Sequence, residues 1–119
     1  MDKYMLQKYI VKKPWGMFEQ FTKQEPVTVK IITINPNESL SLQYHHKRAE
    51  FWKILSGKGE LTLGDSIIQA NEGDEYFIEK KQKHRMKANS LQVRMLEISF
   101  GDFDENDIVR LEDKYNRER

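Results

Sequence analysis

Residues 39–53 read SLSLQYHHKRAEFWK. The stretch divides into two extended runs, 39–43 and 50–56, joined by a polar turn. Side chains alternate faces along a strand, so Gln43 and His45 point the same way, and Glu50 can return on the next strand to face them. The chain has three histidines: His45 and His46 lie here, and His84 lies in residues 79–89, EKKQKHRMKAN. His84 is therefore the histidine left to complete a set begun by Gln43, His45 and Glu50. An amide oxygen, two imidazoles and a carboxylate carry one formal negative charge and suit a divalent first-row metal with open water positions. Taken singly, each histidine also fits a solvated turn or a surface position, His84 because it stands between Lys83 and Arg85.

Outward from this stretch the pattern is one of short strands and turns. Residues 17–22, 27–34, 39–43, 50–56, 59–63, 66–70, 75–78, 85–88 and 91–99 are β-rich runs separated by Gly, Asn, Asp or Pro. Such spacing predicts an all-β sandwich or jelly-roll barrel. Gly64-Asp65 and residues 56–59 (SGKG) read as tight connections, which favour antiparallel hairpins over crossovers. One helix is expected, from Asn106 onward, with Ile108, Leu111, Glu112 and Tyr115 near one face, Asn106 as N-cap and Asp107 in the first turn. In residues 50–55, Glu50, Trp52 and Ile54 share one face, and Phe51, Lys53 and Leu55 share the other. The apolar members of that second face need a cover, either a second copy of the chain or the carboxy-terminal helix.

Composition excludes several classes. At 119 residues the chain suits a single domain with a modest core, spanning 1–119. Lys and Arg total 20 against 19 Asp and Glu, for a net charge of +1, with the two signs interspersed, so no nucleic-acid footprint is expected. The basic run Lys80-Lys81-Gln82-Lys83 reads as a solvated loop. With no cysteine there is no disulfide and no thiolate ligand, which is compatible with a reducing cytoplasm. No apolar stretch approaches the roughly 18 residues of a membrane span, and the charged start MDKYMLQK lacks a signal-peptide core, so neither membrane insertion nor export is expected. No glycine-rich phosphate loop is present.

The two histidine segments resemble the cupin signature, a first motif G-x5-H-x-H-x(3,4)-E-x6-G and a second G-x5-P-x-G-x2-H-x3-N. Asn37 stands at the leading glycine and Gln43 at the first histidine, while His45, Glu50 and Gly57 match. Gly73 and His84 match in the second motif, Glu79 and Lys81 replace its proline and glycine, and Asn89 lies one residue late. Pro14-Trp15-Gly16, Val29-Lys30, residues 40–52, Ser56-Gly57, His84-Arg85 and residues 107–117 (DIVRLEDKYNR) are together similar to the carboxy-terminal domain of type II phosphomannose isomerases. The resemblance covers about residues 11–117. In that family this cupin usually follows a mannose-1-phosphate guanylyltransferase domain, whose activity is not expected here without a phosphate loop. Phe51 stands where the family tends to have histidine, and Lys47 where many relatives carry a third consecutive histidine.

The resemblance implies a single-domain cupin barrel with a short carboxy-terminal helix and one divalent metal ion, zinc first, with cobalt, manganese, nickel or iron as alternatives. The ligands would be Gln43, His45, Glu50 and His84. The implied reaction is interconversion of mannose 6-phosphate and fructose 6-phosphate through a cis-enediol, in which a proton leaves C2 and arrives at C1. Arg48, from the family's R-A-E run, would stabilise charge with its planar donor fork. Glu97, at the glutamate of the family's E-V-Q run, would be a general base with a pKa raised by an apolar strand face. Trp52 would wall the substrate pocket, and Arg110 would reach the phosphate if the terminal helix crosses the barrel mouth. A homodimer is the further expectation. The alternatives are a metal-dependent cupin acting on another sugar phosphate, a small dioxygenase, and a non-catalytic sugar-binding accessory module.

Overall fold

Apolar and β-branched residues at every second position, interrupted by turn formers after a few residues, can satisfy their backbone only by pairing short strands. The computed structural model describes residues 8–115. Among them the strands are β1 (Tyr9–Lys13), β2 (Gly16–Gln20), β3 (Val27–Ile34), β4 (Leu42–Tyr44), β5 (Arg48–Ser56), β6 (Gly59–Leu63), β7 (Ser66–Ala70), β8 (Glu75–Ile78), β9 (His84–Ala88), β10 (Val93–Gly101) and β11 (Val109–Glu112). β1 and β2 form a separate hairpin. The rest form a four-stranded sheet, β3-β10-β5-β8, and a five-stranded sheet, β11-β4-β9-β6-β7. Every pairing among these strands is antiparallel.

Ile34, Trp52, Ile54, Leu61, Ala70, Ile78, Met86, Ala88, Val93 and Met95 are buried together and form the main core. They come from both sheets, each from the inward parity of its strand. A smaller cluster lies on the other face of the four-stranded sheet, where Phe51, Ile98 and Phe100 pack with Phe21, Val27, Phe77 and Leu96. Phe51 is thus covered by its own chain: Phe21, just beyond β2, approaches it with ring centroids 5.3 Å apart, and Phe77 is its register partner on β8. Neither a second copy nor a helix is needed there, contrary to the sequence-based expectation. Lys53 on the same face is held by Glu75 at 2.9 Å, and Leu55 stays 37% exposed.

Two further expectations are corrected. The segment after Asn106 is not helical: Val109–Glu112 is a strand, paired with the open edge of β4, and residues 116–119 lie outside the described part. The helical spacing of Ile108, Leu111 and Tyr115 loses to the unsatisfied edge of a three-residue strand that must be paired. Residues 56–59 also do not close a hairpin, since β5 and β6 belong to different sheets and the turn carries the chain across the barrel. Gly57 is required in that turn. Its φ is +89°, and a Cβ would lie 2.1 Å from the Gln92 carbonyl oxygen.

Asn37 and Lys81, which replace motif glycines, both have left-handed backbone, with φ of 62° and 66°. The turn geometry has been kept although the glycines have not, and each turn is fastened by its own N–H. Asn37 donates to Asn89 O at 2.8 Å, and Lys81 donates to His45 O at 2.7 Å. No helix among the described residues is long and apolar enough to cross a membrane.

Candidate metal centre

His45 follows β4 directly, Glu50 is on the inward face of β5, and His84 opens β9 opposite Gln43 on β4. Three strands from two sheets therefore deliver their side chains to one point inside the barrel. His45, Glu50 and His84 each offer a ligand atom, and these atoms all lie within 4.8 Å of one another. Glu50 Oε2 is 3.6 Å from His45 Nε2, and Glu50 Oε1 is 3.6 Å from His84 Nε2. A metal with bonds of about 2.1 Å holds neighbouring ligand atoms roughly 3 to 3.5 Å apart, so little movement would close the cluster on an ion.

The outward nitrogens orient the rings. His45 Nδ1 is 2.7 Å from Asp107 O, and His84 Nδ1 is 2.9 Å from Gln82 O. A carbonyl only accepts, so each Nδ1 carries the hydrogen and each Nε2 presents a lone pair to the cluster. Burial lowers both imidazole pKa values to about 4, which keeps the rings neutral and ready to ligate. Glu50 Oε1 is buried and has no hydrogen-bond partner among the described residues. A carboxylate whose Oε1 faces the His84 lone pair and whose Oε2 faces that of His45 is a poor arrangement for protein alone and a good one for a divalent cation.

Burial also raises the Glu50 pKa, although the neighbouring Arg48 opposes this. Arg48 is itself buried; its Nε donates to Glu50 Oε2 at 3.1 Å and its Nη1 to Asp104 O at 3.1 Å. Its Nη2 lies 3.4 Å from His45 Nε2. The guanidinium thus borders the cluster instead of lying on the surface.

Glu97 lies deeper on β10. Burial first, and then the charge of Glu50, raise its pKa to about 7. Trp52 Nε1 donates to Glu97 Oε2 at 3.2 Å, and Ser99 Oγ donates to Oε1 at 3.4 Å. Trp52 is buried and donates its indole N–H to Glu97; its ring meets His84 edge-on at 5.4 Å. It walls the cluster rather than offering a polar contact.

Gln43 is flanked in register by His84 on one side and Arg110 on the other. Its Nε2 donates to Ser41 O at 3.2 Å and Ser41 Oγ at 3.0 Å, which leaves the amide oxygen as its ligand-capable atom. Arg110 reaches this row from strand β11, not from a helix, and its Nε is buried with no partner among the described residues.

Sequence reading missed the segment 102–108. Asp107 accepts from His45 through its carbonyl, and its carboxylate accepts from His46 N and Lys47 N, each at 3.0 Å. The turn that carries His45 is thereby clamped on three sides: by Asp107, by Lys81 N, and by Arg48 through Asp104 O. Reading Asp107 as the first turn of a helix hid this role. No local pattern marks it, because its partners lie about sixty positions away.

Comparison with known proteins agrees with this architecture. The family model described as mannose-6-phosphate isomerase C-terminal matches residues 2–113. The xanthan biosynthesis protein XanB of Xanthomonas campestris pv. campestris is 38% identical over 109 residues, covering 90% of this chain and 23% of its own length. The mannose-1-phosphate guanylyltransferase ManC of Salmonella typhimurium is 32% identical, again over 90% of this chain and 23% of its own length. The chain therefore spans less than a quarter of these relatives.

Among solved structures, oxalate decarboxylase from Bacillus subtilis superposes with TM-score 0.66 at 22% identity, over 73% of this chain and 24% of its own. A cupin protein from Bacteroides fragilis does so with TM-score 0.57 at 20% identity, over 74% of this chain and 90% of its own. With a family match running almost end to end and cupins as structural neighbours, the chain belongs to the mannose-6-phosphate isomerase C-terminal family and has the cupin fold.

Proposed function

We propose that this domain is a metal-dependent aldose–ketose isomerase of sugar phosphates, interconverting mannose 6-phosphate and fructose 6-phosphate. The observation that carries the reading is the pairing of two functions in one interior. His45, Glu50 and His84 can hold a cation, and beside them Glu97 has a pKa near 7, where it can take and return a proton. The ligands are His45, Glu50 and His84, with the amide oxygen of Gln43 as the fourth.

A bound divalent ion, zinc first, would supply Lewis-acid polarisation of the substrate oxygens at C1 and C2. The remaining steps belong to the chain. Glu97 takes the proton from C2 and delivers it to C1, while the hydroxyl proton passes from O2 to O1, so the isomerisation balances without an oxidant. Trp52 fixes the base by its 3.2 Å hydrogen bond. Arg48 keeps Glu50 in place and puts a permanent positive charge beside the reacting centre. Arg110 has a buried Nε–H, without a partner among the described residues, to offer an anionic group.

A cytoplasmic place in nucleotide-sugar formation fits a phosphorylated sugar. A homodimer belongs to the same reading. Tyr9, Ile10, Trp15, Met17 and Phe18 of the β1–β2 hairpin and Val29 and Ile31 of edge strand β3 are all large and exposed. At roughly 100 Å² each they approach the ~800 Å² per partner of a standard interface. Sedimentation of the purified protein reads this directly, and a monomer at all concentrations removes the dimer.

The decisive experiment for the activity is a metal-replete assay with mannose 6-phosphate and a panel of other aldose phosphates, with products identified by NMR. Interconversion that chelation abolishes and metal restores is expected. A metal-loaded protein that converts none of them contradicts the isomerase.

A further inference from the structure

Strand β3 carries a residue that its pattern leaves unexplained. Its side chains alternate, and the parity that buries Ile34 in the core also holds Lys30. The register Glu97↔Lys30 sets this lysine beside the buried glutamate on the interior side of the sheet. The lysine side chain is half-buried there and meets an anion. Lys30 Nζ is 3.0 Å from Glu105 Oε1 and 4.4 Å from the ring centroid of Phe103. Both partners belong to residues 102–108, which run from β10 to β11 past the ligand-bearing turn. Arg48 Cζ lies 4.7 Å from the same ring. Phe103 thus joins two cations at the rim of the candidate metal centre.

The cations differ in how far they are committed. Arg48 is buried and donates to Glu50 and to Asp104 O. Lys30 is 36% exposed, and its carboxylate partner Glu105 is 73% exposed. An ion pair that open is weak, so a stronger anion can replace it at little cost. A phosphomonoester has up to twice the charge and three acceptor oxygens. The parity of β3, the Phe103 contact and the weakness of the Glu105 pair all favour an exchangeable anion at Lys30.

We propose that Lys30 is an anion-binding residue of this site, that Glu105 holds its place in the free protein, and that the phosphomonoester group of the substrate displaces Glu105 from it. The class of ligand rests on the sugar-phosphate reading above; the anion site rests on the contacts of Lys30.

The test is calorimetric titration of the zinc-loaded protein with mannose 6-phosphate, mannose and inorganic phosphate, using Lys30→Met, Lys30→Arg and Glu105→Gln. Lys30→Met should weaken mannose 6-phosphate binding by roughly tenfold to a hundredfold, as expected for one charge-assisted contact, and leave mannose unchanged. Lys30→Arg should retain most of the affinity. Glu105→Gln should bind the phosphate ligands several-fold tighter, because the internal competitor has lost its charge.

The anion site is overturned if Lys30→Met binds mannose 6-phosphate within about twofold of wild type, if Glu105→Gln binds it more weakly, or if the wild type binds neither phosphate ligand. Failure of the isomerase reading looks different. The protein would then convert no sugar phosphate, yet inorganic phosphate would still bind and still depend on Lys30 and Glu105. Turnover by the wild type with an unchanged KM in Lys30→Met would sink the anion site and leave the isomerase standing.

Discussion

Glu97 and the two interior histidines are displaced along the pH scale in opposite directions by the same cause, burial. His45 and His84 have folded pKa values near 4, below the ordinary 6.5, so the unfolded chain binds more protons and the metal-free fold loses stability as pH falls from about 6.5 to 4. Glu97 sits near 7, above its ordinary 4.5, so here the folded state binds more protons and stability is lost as pH rises through that interval. Glu97→Gln removes the second effect while keeping an acceptor for Trp52. In metal-free protein its stability advantage should be close to zero below pH 4.5 and grow to about 3 kcal/mol by pH 8. Urea denaturation at several pH values measures this, and an offset independent of pH would contradict the assigned burial. The same variant should abolish isomerisation. Arg48→Lys should retain metal and fold yet lose roughly a hundredfold in turnover, because an ammonium cannot donate to Glu50 and Asp104 O in one plane. Elemental analysis beside the rate assay separates that outcome from simple loss of the ion.

At the scale of strands and turns, the left-handed residue at 81 has a measurable cost. Lys81 has φ of 66° and its N–H is fastened to His45 O. Lys81→Gly should stabilise the protein by about 1 kcal/mol, since relief of a left-handed side chain exceeds the added freedom of glycine in the unfolded state. Thermal melts of the two proteins would show it, and a destabilised glycine variant would mean the lysine side chain contributes more than its backbone costs. Phe51 tests strand parity. It is buried between Phe21, Ile98 and Phe77, on the face opposite Glu50. Phe51→His should cost about 2 to 4 kcal/mol by replacing a packed ring with a polar one, and leave metal affinity near wild type. A large change in metal affinity would show that residue 51 faces the interior after all.

The strands that could be read in advance were those whose alternation serves a buried face. Residues 27–34, 59–63, 66–70 and 75–78 were expected with the bounds that β3, β6, β7 and β8 have. β1 escaped because its hairpin packs little against the body and its residues are mostly exposed, so no parity is imposed on it. β11 reads as part of a helix because Ile108, Leu111, Glu112 and Tyr115 fit a helical face, whereas the edge of β4 that pairs with residues 109–112 is invisible in a linear sequence. In the candidate site, the nearness of Glu50 and His45 is suggested by their spacing within one short stretch, although β4 and β5 belong to different sheets. Lys30 could have been found by the same parity argument applied to β3, but Asp107 and Phe103 could not, since their roles arise only when a distant segment folds back over the turn.

For the molecule as a whole, the candidate ligands tie the two sheets together, Glu50 from the four-stranded sheet, His45 from just after β4 and His84 from the start of β9 in the five-stranded one. A cation there should stabilise the folded chain by about 4 kcal/mol at a thousandfold excess over Kd, by mass action. Chelation should lower Tm accordingly, and His45→Ala combined with His84→Ala should make Tm insensitive to chelation. A double variant that still responds to metal would dismiss the assigned ligands.

The clamp on the turn at 45–47 has a consequence for the order of events in time. His45 is oriented by Asp107 O and by Lys81 N, contacts between segments far apart in the chain that can form only once β9 and β11 have docked. The candidate cluster is therefore expected to be completed late in folding, once these distant segments have docked. Added metal should leave the refolding rate almost unchanged and slow the escape from the native state, so that in a chevron plot only the unfolding limb moves. Lifetime, more than speed of folding, is what an ion at this position would confer.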